Sequence, residues 1–110
     1  MPALIVRGIS PEAMRTISTP LVEELASICS CGTDNFTIEC LTTTGVFGGE
    51  LVPSFPFIEV TWFERGQDVR DRFAAAIHQQ LQSIGIEEAE LAFIVYAESS
   101  YYINDKRFGS

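Results

Sequence analysis

The sequence predicts an α+β sandwich in which tandem βαβ units form one mixed four-stranded sheet with two helices on one face. Three observations carry this expectation. Two stretches repeat apolar residues at helical intervals, and four others are rich in β-branched and aromatic residues. The first half of the chain also superimposes on the second after a shift of 56 positions. At 110 residues the chain is long enough for one core, so a single domain over residues 1–110 is expected.

The elements follow in order. Ala3–Arg7 reads as an apolar strand. Ser10-Pro11-Glu12 then supplies an N-cap, a proline at the first helical position and an early acid. Ala13, Ile17, Leu21, Leu25 and Ile28 share one helical stripe. Pro20 falls inside it, where a kink or restart is expected. Phe36–Leu41 is a second strand, and Val46–Val52 is a short hairpin turning at Gly48-Gly49. Phe57–Phe63 is a third strand. Val69, Phe73, Ile77, Leu81 and Ile84 form the second helical stripe, with Gly85 as its stop. Leu91–Tyr96 is a fourth strand, and a last short one is expected around Tyr101–Ile103, turning at Asn104-Asp105.

The repeat is specific. Leu4 falls on Val60, Val6 on Trp62, Ile17 on Phe73, Leu21 on Ile77, Leu25 on Leu81 and Ile38 on Ile94. Right-handed crossovers in two such units place both helices on the same face of the sheet. Yet the strands are apolar at nearly every position, as strands covered on both sides are. Another copy of the chain is the economical cover, so an oligomer is expected.

Fifteen acidic against seven basic residues give a net charge of −8, and no basic run exceeds two residues. Nucleic acid is therefore not an expected partner. No apolar run is long enough to span a membrane, so no membrane association is expected. Arg7 interrupts the first apolar run and no basic stretch precedes it, which is unlike a signal peptide. With three cysteines, an odd number, this points to the cytoplasm and to buried or half-buried thiols at Cys29, Cys31 and Cys40. Those cysteines and His78 match no zinc spacing, so no metal is expected. Neither a phosphate-binding glycine loop nor a Gly-x-Ser-x-Gly nucleophile motif occurs.

Met1-Pro2 before a strand, the two βαβ halves and the Gly66 region between third strand and second helix together resemble the tautomerase superfamily. That superfamily includes macrophage migration inhibitory factor and 4-oxalocrotonate tautomerase. More narrowly, residues 57–67 and Tyr101-Tyr102-Ile103-Asn104 resemble a bacterial branch known only as a domain of unknown function. The resemblance spans essentially the whole chain. It implies a trimeric tautomerase-like fold and an N-terminal proline, uncovered by methionine removal, acting as general base on a small carbonyl or carboxylate substrate. It implies no cofactor.

Carried over residue by residue, the resemblance makes Pro2 the catalytic candidate. An α-amino group titrates at roughly 7.7–8.0, and apolar surroundings disfavour its charged form. Arg65 matches the arginine that members place near the entry to the second helix, where it would hold a substrate carboxylate. A surface ion pair of Arg65 with Glu64 or Asp68 is the competing reading. Tyr101 and Tyr102 match the aromatic pocket walls, with a phenol able to hold an enolate oxygen; stacking in a terminal strand is the alternative. Several members carry a cation at the start of the second strand, but this chain reads Cys31-Gly32-Thr33-Asp34 there. Arg7 is expected in an interface salt bridge, and Trp62 and Phe63 in core or interface. The rival function is a non-catalytic trimer that binds a small ligand or a protein and keeps only the fold.

Overall fold

The computed structural model describes residues 2–108. Its central element is a four-stranded mixed sheet of order β2-β1-β5-β6, built from β1 (Ala3–Arg7), β2 (Thr37–Leu41), β5 (Phe57–Trp62) and β6 (Glu90–Val95). β1 and β5 run antiparallel at the centre, and each has a parallel partner outside it, β2 and β6 respectively. Each parallel pair is joined through a helix, α1 (Pro11–Cys29) or α2 (Gln67–Ser83). This is the expected pair of βαβ units.

The repeat is visible in the register. Leu4 of β1 lies directly opposite Val60 of β5, the residue 56 positions later. One expected match is corrected. Leu4 neighbours Ile38 whereas Val60 neighbours Phe93, so the structural equivalent of Ile38 is Phe93 and not Ile94. The second unit is one residue shorter by that point. With a side-chain period of two, one residue changes the face: Phe93 packs on the core, while Ile94 is 40% exposed on the other side.

Both helices contribute to one core. Leu4, Val6, Ile58, Val60 and Trp62 of the strands meet Ile17, Leu21 and Leu25 of α1 and Phe73, Ile77 and Leu81 of α2, all buried. Burying each such side chain is worth about 1.5–3 kcal/mol. The opposite face carries Ala3, Ile5, Phe57 and Ile94 without a cover from this chain, and an Arg7–Glu59 ion pair of 3.8 Å lies across β1 and β5 on it. Arg7 therefore pairs within its own chain, with its guanidinium also 4.6 Å from the Phe57 ring centroid.

Local chemistry fixes the helix ends. The Ser10 hydroxyl accepts from the Ala13 N–H at 3.1 Å and caps α1. Pro20 does not restart the helix: α1 continues as one element to Cys29. Pro20 and Thr16, whose carbonyl loses its i+4 donor, are both exposed, so water can satisfy that carbonyl. α2 ends as the sequence indicates, with Gly85 at φ 85° and bonds from Gly85 N–H to Gln82 and from Ile86 N–H to Leu81. Two hairpins extend from the sandwich. β3 (Gly45–Phe47) and β4 (Glu50–Val52) turn at Gly48-Gly49, both at positive φ, and expose Val46, Phe47 and Leu51. β7 (Tyr102–Ile103) pairs with a strand the sequence did not reveal, β8 (Lys106–Arg107), across Asn104-Asp105.

Candidate functional site

The antiparallel centre brings the start of β1 and the end of β5 to one end of the sheet, and the parallel pairings add the start of β2 and the end of β6. Pro2 immediately precedes β1 and is fully buried. One register step beyond Ala3 sets it beside Trp62 and Phe36, and its carbonyl accepts from the Thr37 N–H at 3.3 Å. Alternation places Pro2 on the same face as buried Leu4 and Val6, beneath the helices. That neighbourhood is aromatic: the Trp62 ring lies 5.0 Å from Phe73 and 4.8 Å from Phe93, and Phe36 stacks on Phe73 at 6.3 Å.

Arg65 follows β5 at this same end. Its guanidinium donates from Nη1 to the Phe63 carbonyl at 3.0 Å and sits 5.3 Å from the Trp62 ring centroid. The competing ion pair of Arg65 with Glu64 or Asp68 is not formed. Glu64 instead pairs with Arg70, and Asp68 with Arg72 at 3.8 Å. The Glu64 carboxylate also accepts from the backbone N–H groups of Arg65 and Gly66, each at 3.0 Å. The Arg70 hydrogen bond, then the Gly66 amide, hold its pKa below the usual carboxylate range. With Glu64 occupied by Arg70, the Arg65 charge has no carboxylate partner among the described residues. A half-buried cation over an aromatic ring and without a counter-ion is suited to an anion brought from outside.

Tyr101 joins this end through Phe63. Its ring lies 5.0 Å from Phe63 and 5.4 Å from Tyr96, and Phe63 stacks on Phe108 at 4.6 Å. The structure thus gathers Pro2, Arg65 and Tyr101 around the end of β5. Tyr102 is not brought in: it is 59% exposed on β7. Sequence reasoning left Trp62 and Phe63 as plain packing, although Trp62 shares its parity and strand end with Pro2. Phe108 carried no signal, because its place in the cluster depends on the β7–β8 turn.

Clefts lie elsewhere on the single chain. One of about 440 Å3 runs beside β2, lined by Thr19, Val22, Glu23, Thr33 and Phe36 among others. Another of about 190 Å3, lined by Ile58, Ile77, His78 and Leu91, flanks β6. Neither is lined by Pro2, Arg65 or Tyr101. Among the described residues no cluster of three or more His, Cys, Asp or Glu is arranged to hold a metal ion. No helix among them is long and apolar enough to cross a membrane.

The cysteines depart from expectation. Cys29 and Cys31 are joined as a disulfide, because Ser30 at the end of α1 adopts a left-handed conformation that folds the chain back on itself. Cys40 is the free thiol, half-buried, and burial, then the charges of Glu39 and Glu12, push its pKa above the usual thiol value.

Comparison with known proteins agrees with this architecture. Residues 1–107 match the family model described as a domain of unknown function, DUF1904. A DUF1904 domain from Sebaldella termitidis is 34% identical with a TM-score of 0.90, over 98% of this chain and all of that one. A protein of unknown function from Vibrio cholerae is 27% identical with a TM-score of 0.86, over 97% and 87% of the two chains. A fused 4-OT, wild type, described as an asymmetric trimer, shares the fold at a TM-score of 0.76 and 16% identity, over 96% and 94%. No curated protein matches the sequence. The chain has the tautomerase-like fold that the sequence resemblance implied.

Proposed function

The chain belongs to the DUF1904 family, and on that premise we propose that it is a tautomerase-like isomerase acting as a homotrimer. Residues 1–110 form one such domain in this reading. Pro2, with its amine uncovered by loss of Met1, is the general base that moves a proton between carbon and oxygen of a small carbonyl acid. Arg65 holds the carboxylate, and the Tyr101 phenol helps the oxygen that gains charge. Tyr102, exposed on its hairpin, is left to line the pocket of a neighbouring copy. Proton transfer of this kind uses no metal or cofactor. The cytoplasm is the proposed compartment in this reading.

The observation that carries the proposal is the burial of Pro2 among aromatic side chains at the sheet end that also holds Arg65. An amine in such surroundings is less willing to hold a proton and more useful as a base. The uncovered apolar sheet face, and the trimer formed by a protein of the same fold, support three copies.

The test has three parts. Intact mass is expected to show Met1 removed. Light scattering is expected to give about three times 12.2 kDa. Ketonisation of phenylpyruvate is expected to be catalysed by the native protein and lost in Pro2→Ala. Equal rates in the two proteins remove Pro2 as the base. They would favour the second reading, a non-catalytic trimer that binds a small ligand. One observation speaks for that reading: neither of the two clefts described above is lined by Pro2.

A further inference from the structure

Trp62 is completely buried, yet its indole Nε1–H has no hydrogen-bond partner among the described residues. Buried indoles ordinarily find an acceptor, and an orphaned buried donor is costly to the fold. This one does not lie at an arbitrary place. Trp62 is the last residue of β5, level with Pro2 in the register, and it carries the Arg65 guanidinium over its ring.

We propose that the Trp62 indole N–H is a ligand-binding donor that receives the carbonyl oxygen of the acid whose carboxylate Arg65 holds; this rests on the placement of the ligand beside Pro2 proposed above. A carbonyl acid presents two kinds of acceptor. The carboxylate suits the charged, forked guanidinium, and the neutral carbonyl oxygen suits a neutral N–H. When Pro2 takes a proton from the carbon next to that carbonyl, the C–H electron pair becomes the new carbon–carbon double bond. The carbonyl π pair moves to oxygen, and the bond from Trp62 strengthens as that oxygen gains charge. The proton on the Pro2 nitrogen then passes to the oxygen, giving the enol, or returns to carbon. Phe73 and Phe93 pack against the indole and hold its plane fixed.

Trp62 is the only tryptophan in the chain, so the protein has a single indole N–H signal. The experiment titrates phenylpyruvate into nitrogen-15-labelled protein lacking Met1 and follows that signal together with the Arg65 backbone amide. The indole proton is expected to move downfield, to saturate in step with the Arg65 amide, and to exchange with solvent more slowly. Trp62→Phe, which keeps an aromatic filler without the donor, is expected to weaken binding roughly 3- to 10-fold and to lower kcat more, by about 100-fold. An Arg65 amide that moves while the indole does not overturns the role of Trp62 and leaves the site standing. An indole already protected without phenylpyruvate, and unmoved by it, overturns that role equally. If neither signal moves at saturating probe, the placement of the ligand fails, and this inference with it.

Discussion

Replacing Arg65 with methionine separates anion recognition from stability. The substitution keeps an apolar stem against Trp62 and removes the guanidinium. In the folded chain that group makes one hydrogen bond to the Phe63 carbonyl and one cation–π contact with Trp62. Their loss is worth roughly 1–2 kcal/mol together. No carboxylate among the described residues is orphaned, because Glu64 is held by Arg70. Fold stability should therefore fall only modestly. Binding of a carboxylate is another matter. A charge-assisted hydrogen bond is worth about 1.5–3 kcal/mol, and each 1.4 kcal/mol is about tenfold, so affinity should fall roughly 10- to 150-fold. The assay is calorimetric titration of phenylpyruvate at about 0.15 M salt, where distant charges are screened. Arg72→Met is the charge-matched control: Arg72 is paired with Asp68 and exposed on α2, so its removal should leave affinity within about twofold. If Arg65→Met binds as native does, or if Arg72→Met weakens binding equally, the assignment of Arg65 as the anion holder is wrong.

Four further outcomes follow from the geometry. Gly8 has φ +79°, and a Cβ there would sit 2.5 Å from the Phe55 carbonyl oxygen and 2.6 Å from its carbon; Gly8→Ala should cost about 2–5 kcal/mol in urea unfolding. Gly66 has φ +93° but open space around it, so Gly66→Ala should cost only its backbone strain, about 1–3 kcal/mol. Glu64 has a lowered pKa in the folded state against an ordinary value of 4.5. Its stabilising contribution is therefore present above pH 4.5 and lost as pH falls through the lower folded value. Glu64→Gln should accordingly be less stable than native at neutral pH and match it at strongly acid pH; a gap that persists in acid refutes the linkage. Thiol titration of unreduced protein should count one thiol, Cys40, and three after reduction. That one thiol should react slowly near neutral pH, since its pKa is raised. Three thiols in the unreduced protein would exclude the Cys29–Cys31 bridge.

Whatever depends on neighbours along the chain was legible in the sequence. The stripe from Ile17 to Leu25, the Ser10 cap, the Gly48-Gly49 turn and the Gly85 stop are local patterns, and the structure has them where the spacing placed them. The 56-residue repeat was legible too, because periodicity in each half had to bury the same faces. It failed at Ile38, where one missing residue in the second unit moved the match to Phe93, and only the strand register revealed that. Sequence also singled out Pro2 and Arg65, but not who their neighbours are. Arg65 stands beside Glu64 in the chain, and the obvious pairing was wrong, since Arg70 in the first turn of α2 holds that carboxylate instead. That Trp62 lies level with Pro2, with its N–H lacking an acceptor, follows from an antiparallel pairing across some sixty residues. Side-chain alternation and helical pitch are set by each residue's own backbone, so a sequence can declare them. Which cation lacks a counter-charge, and which buried donor lacks a partner, is decided only when distant segments compete for the same space.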